Sequence, residues 1–113
     1  MKEVSISNMS KRRKSSESLT GDEMEDLIRI FKTLSDSSKI RILSMLNIRE
    51  SLSVSDIARD TDLEISLVSH HLKTLKLLGF VKPRKQGKNV YYSIDDDCII
   101  DILERAKDHV AGN

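Results

Sequence analysis

The sequence predicts a mainly α (α+β) fold of about five helices and a two-stranded β-hairpin, in the winged helix-turn-helix arrangement. Three observations predict it. From Met24 to Leu78 apolar residues recur at helical spacing, with polar breaks at Ser35-Asp36-Ser37 and Thr61-Asp62-Leu63. After Gly79 the pattern changes to two short β-prone runs, Phe80-Val81 and Val90-Tyr91-Tyr92-Ser93-Ile94, around the turn Gln86-Gly87-Lys88-Asn89. A last helical stretch then opens at Asp95-Asp96-Asp97.

Residues 1–20 are rich in Ser, Lys and Arg and nearly free of large apolar side chains, so they are expected to form a disordered basic N-terminal arm. Its Lys11-Arg12-Arg13-Lys14 run suits either contact with DNA phosphates or a solubilising tail. Residues 21–113 form the expected folded domain. Its first helix starts near Gly21, with Asp22 and Glu23 at the positive end of the helix dipole and Met24, Leu27, Ile28, Ile30, Phe31 and Leu34 as the apolar set. Ser37 or Ser38 can cap a second helix. There Ile40, Ile42, Leu43, Met45, Leu46 and Ile48 are almost continuous, which predicts burial on more than one side. Ser53, three residues before Asp56, has the spacing of a helix cap for a short third helix carrying Val54, Ile57 and Ala58. A fourth helix is expected over 64–78, with the stripe Ile65, Val68, Leu72, Leu75 and Leu78, ended by Gly79. Two short helices joined by a tight turn, the second polar on its outer face, are a helix-turn-helix. The hairpin behind them is the wing, with Pro83 tolerable on an edge strand. The last helix carries Cys98, Ile99, Ile100, Ile102, Leu103, Ala106 and Val110.

A chain of 113 residues has room for one domain and buries little enough surface that a dimer would be a natural source of stability. Its 19 Lys+Arg and 18 Asp+Glu nearly cancel, so the distribution of charge is the informative quantity. Lys73, Lys76, Lys82, Arg84, Lys85 and Lys88 cluster in the segment 64–90, whereas the segment after it is acidic. One cysteine, Cys98, fits a reducing compartment, and no apolar run is long enough to span a membrane. The protein is therefore expected to be cytoplasmic, with no membrane partner.

On the fourth helix Ser66, Ser69, His70 and Lys73 lie off the apolar stripe, where a recognition helix presents side chains to base edges. Lys73 and Lys76, with Arg84, Lys85 and Lys88 of the wing, suit phosphates. The expected partner is a double-stranded DNA operator. A winged helix can also serve as a protein-interaction module, because fold alone does not decide function. Catalysis is not expected. Cys98 and His109 lie too far apart along one helix for a dyad, and no phosphate-binding loop or hydrolase motif is present.

The residues also resemble those of a known family. Leu34-Ser35-Asp36-Ser37-Ser38-Lys39-Ile40-Arg41-Ile42-Leu43 looks like the L-x-D-x-x-R-x-x-I-L run of ArsR/SmtB-type winged helix-turn-helix metalloregulators. Leu52-Ser53-Val54-Ser55-Asp56-Ile57-Ala58 is similar to their third helix, and Ser66 to Leu75 to their S-x-x-S-x-H-L-x-x-L recognition helix. Gly79-Phe80-Val81 with Gly87, Tyr91 and Tyr92 matches their wing, and the whole resemblance runs from about Glu25 to Asn113. It implies a homodimeric repressor released from its operator by a ligand.

The family's cysteine pair in the third helix is replaced by Ser53 and Ser55, whose hydroxyls are poor ligands for thiophilic metals. The family's last-helix metal pattern, D-x-H followed by H-x-x-E/H, is matched in part by Asp96, by Cys98 in place of its first histidine, and by His109. Along one helix Asp96 and His109 stand roughly 20 Å apart, so a shared metal, zinc or another divalent transition metal, requires an antiparallel copy across a two-fold dimer. The fourth ligand falls on Gly112, which has no side chain; water, Asp108 or the C-terminal carboxylate are the substitutes. Alternatively Asp95 or Asp96 is a helix-terminal acid, Cys98 a small interface hydrophobe and His109 a cation on the helix dipole, in a regulator of the same fold answering another signal.

Overall fold

The computed structural model describes residues 18–112. Helices and strands follow in the order α1 (Gly21–Leu34), α2 (Ser37–Arg49), β1 (Leu52–Ser53), α3 (Val54–Thr61), α4 (Ile65–Leu77), β2 (Val81–Gln86), β3 (Asn89–Ile94) and α5 (Asp97–Val110). The expected N-terminal arm lies, as far as residue 17, outside the described residues; Ser18, Leu19 and Thr20 lead into α1 without regular structure.

The helix starts follow from local hydrogen bonding. Thr20 Oγ1 accepts from the Glu23 N–H and Glu23 Oε1 accepts from the Thr20 N–H, both at 3.0 Å, which fixes the first turn of α1. Ser53 and Asp56 make the same reciprocal pair for α3, as their spacing predicts. In α2 the cap is Asp36 rather than Ser37 or Ser38. Its Oδ2 accepts from the Lys39 N–H at 2.9 Å, and its carboxylate also places negative charge at the helix N-terminus, which a serine cannot do.

The core is built by α2, α3, α4, the wing base and α5. Ile42, Leu43, Leu46, Ile57, Val68, Leu72, Leu75, Val81 and Ile99 are its fully buried large side chains. α2 touches α1, α3, α4, α5 and β3, so it is the hub of the fold. It nevertheless has one buried stripe, not two buried sides. Ile40 and Met45 are half-buried and Ile48 is 76% exposed, facing a groove shared with Ile100 and Leu103 of α5.

The sheet is antiparallel and three-stranded, in the order β1-β3-β2. The expected two-stranded wing thus gains a third strand, β1, where Leu52 and Ser53 pair with Tyr92 and Tyr91. The hairpin closes over Gly87-Lys88, with Gln86 opposite Asn89. Gly87 has φ +63° and Lys88 is not left-handed, the pattern of a type II′ turn, which needs glycine first. Counting from that closing pair, Pro83 opposite Tyr92 falls at a non-hydrogen-bonded site of the outer strand, so its missing N–H removes no rung.

Candidate nucleic-acid interface

α3 and α4 are joined by a turn that the chain holds from both sides. The Thr61 hydroxyl donates to the Ile57 carbonyl at 2.6 Å, and Asp62 ends α3 in the left-handed conformation with φ +62°. Arg41 of α2 donates to the Thr61 carbonyl at 3.2 Å, which ties the hub helix to the turn. α4 ends in a Schellman motif. The Phe80 N–H donates to the Leu75 carbonyl and the Gly79 N–H to that of Lys76, with Gly79 at φ +82°.

Between these ends α4 is two-sided. Val68, His71, Leu72 and Leu75 are buried, whereas Ser66, Ser69, His70, Lys73 and Lys76 are exposed. On the wing Arg84, Lys85 and Lys88 are exposed too. Among the described residues no carboxylate pairs with Lys73, Lys76, Arg84, Lys85 or Lys88, while Lys82 lies 3.8 Å from Asp95. Among the described residues the helix and the wing tip thus carry five cations without a carboxylate partner. A surface of hydroxyls, an imidazole and free ammonium and guanidinium groups on a protruding helix can hydrogen-bond base edges and neutralise phosphates.

Two features of α4 escape its sequence pattern. Ile65 and Leu78 were expected to extend the apolar stripe; Leu78 does so, half-buried against the core, but Ile65 in the first turn is exposed. His71 instead turns inward. Its Nε2 stands 3.9 Å from Asp36 Oδ2, too far for a hydrogen bond, and its buried Nδ1 has no partner among the described residues. Burial, and then the charge of Lys39, hold the imidazole below its ordinary value, with Asp36 opposing them. The sequence signal was present: an i, i+3/i+4 stripe through Val68, Leu72 and Leu75 places position 71 on its edge.

The residues of the last helix are arranged differently. Asp96 is the N-cap of α5, its Oδ1 accepting from the Cys98 N–H at 2.9 Å. Cys98 and His109 are exposed, and eleven residues of helix return them to the same face. Among the described residues no three His, Cys, Asp or Glu side chains of one chain come together as a metal cluster. Ser53 Oγ, at the position of one family cysteine, is engaged in capping α3. No helix among the described residues is long and apolar enough to cross a membrane.

Comparison with known proteins bears on this geometry. The profile described as "Bacterial regulatory protein, arsR family" matches residues 36–82, from the N-cap of α2 into the wing. A cadmium resistance transcriptional regulatory protein CadC homolog of Staphylococcus aureus is 36% identical over 94% of this chain and 88% of its own length. A transcriptional repressor SmtB homolog of Synechocystis is 35% identical over 79% of this chain and 67% of its own. Among solved structures, the antimony-specific transcriptional repressor AntR superposes with a TM-score of 0.77, covering 89% of this chain and 91% of its own. At 24% identity that last likeness concerns the fold.

Proposed function

The chain belongs to the ArsR family of bacterial regulatory proteins, a DNA-binding transcription regulator and not an enzyme, and on that premise we propose that it is a homodimeric repressor released from its operator by a ligand. The observation that carries the DNA-reading assignment is the two-sidedness of α4. Its buried side is fixed by Val68, His71, Leu72 and Leu75, which leaves Ser66, Ser69 and His70 for base edges. Lys73, Lys76 and the wing's Arg84, Lys85 and Lys88 then take phosphates. Two such helices, related by a two-fold axis, would meet half-sites about one helical turn, or a multiple of it, apart. His70→Ala is expected to abolish specific binding in fluorescence anisotropy while sedimentation still shows a dimer. Specific binding that survives this change would remove α4 from the reading role.

For the ligand, the reading rests on Asp96 and Cys98 of one protomer with His109 of the partner subunit. The relative named for cadmium resistance and the exposed shared face of Cys98 and His109 support it. Carboxylate, thiolate and imidazole suit zinc or another divalent transition metal, which would supply a cross-link between the two α5 helices. Capping occupies Asp96 Oδ1, and among the described residues its second oxygen has no hydrogen-bond partner. A metal bound there can act on α4 only through a difference in affinity between DNA-bound and free forms. Zinc titrated by calorimetry is expected to bind the dimer and to weaken operator binding, and Cys98→Ser or His109→Ala to remove both effects. No heat of binding and no change in DNA affinity would leave a regulator of this fold that answers another signal.

A further inference from the structure

The first turn of α4 exposes two apolar side chains on either side of a serine, apart from Leu77 at the far end of the helix. Ile65 is 56% exposed and Leu67 39%, and neither joins the core or the half-buried side chains around it. Consecutive helical residues diverge by about 100°, so these two project to either side of Ser66. From Ile65 to Ile94 the chain carries Lys73, Lys76, Lys82, Arg84, Lys85 and Lys88 and not one carboxylate. A surface so charged is complementary to a polyanion, and N-terminal residues of a recognition helix are those that reach base edges. Of the groups that base pairs present in the major groove, only the thymine 5-methyl is apolar.

We propose that Ile65 and Leu67 are specificity-determining residues that contact thymine methyl groups on either side of the base met by Ser66. The proposal rests on the DNA-reading role of α4. It gives that role a second chemistry: hydroxyls and imidazole select by hydrogen bonding, while Ile65 and Leu67 select by excluding water from a methyl group.

The test uses the full-length protein and a duplex selected from a random pool for tight binding. Thymine is replaced by uracil one position at a time, which removes the methyl and keeps every hydrogen-bonding group. Uracil at one or two positions per half-site is expected to weaken binding about 3- to 5-fold each, the equivalent of one buried methyl. Ile65→Ala and Leu67→Ala should each abolish the penalty at one of those positions while leaving the salt dependence unchanged. Equal affinity for every uracil duplex overturns the inference even where His70→Ala still destroys binding, as does a penalty that persists in both alanine variants. If His70→Ala leaves binding intact, the role of α4 fails first and this inference falls with it.

Discussion

His71 is the one buried titratable side chain of α4. It is buried beside His70, with ring centroids 6.0 Å apart; His70 is exposed to solvent, while His71 lies against Asp36 and Lys39 at the start of the hub helix. Burial favours its neutral form, which means that the unfolded chain binds more protons than the folded one just below the ordinary histidine value of 6.5. Stability contributed by the neutral imidazole is complete above that value and declines as pH falls through it toward the lowered folded value. Urea midpoints are therefore expected to fall between pH 7.5 and 5.5, and His71→Gln, which has no charge to gain, should flatten that dependence. An unchanged slope in the variant would place the titrating group elsewhere. The stripe through Val68, Leu72 and Leu75 put position 71 on its inner edge, but it did not show that Asp36 and Lys39 of another helix would face the imidazole there. The cap of α2 was read as Ser37 or Ser38; Asp36, one residue earlier, is an equally good N-cap type, and only the folded backbone decides.

Individual elements were legible where their pattern is local. α4 announces itself through Val68, Leu72, Leu75 and the terminating Gly79, and the hairpin through Gly87 between β-prone runs. The strand β1 was not legible. It has two residues, too few to show alternation, and its partners Tyr91 and Tyr92 lie about forty positions away, a pairing no local window contains. Its placement matters, because Ser53 is at once a sheet residue and the cap of α3, which ties the wing to the helix-turn-helix. Within α4 the two faces make opposite predictions. Leu72→Ala should cost about 2–4 kcal/mol of stability through the cavity it leaves, read by urea denaturation. Ser69→Ala should leave stability within about 0.5 kcal/mol and lower operator affinity instead. A Ser69→Ala protein that unfolds early would mean that the outer face carries structural load.

At the scale of the whole molecule, the described chain leaves an apolar surface unburied. Met24, Leu27, Ile28 and Phe31 of α1 are 36–55% exposed and line one shallow depression with Lys32 and Ser35. A helix that buries little more than Thr33 and Leu34 gains little by folding against its own domain, which is the physical argument for a second copy. Phe31→Glu is expected to yield monomer in sedimentation equilibrium and to weaken operator binding by the loss of two-site attachment, with the helical circular dichroism retained. A dimer that persists would direct attention to α5 alone. The short chain pointed to a dimer, but which helix supplies its surface depends on what the core leaves uncovered.

The outer strand of the wing has one more consequence. β2 is a sheet edge, and an open edge invites a strand from another molecule. Pro83 holds no amide hydrogen at a position that faces outward, and Lys82, Arg84 and Lys85 surround it with like charge. The strand is thereby a poor template for fibril-like growth, and Arg84 and Lys85, which the proposed function gives to phosphates, would also guard that edge.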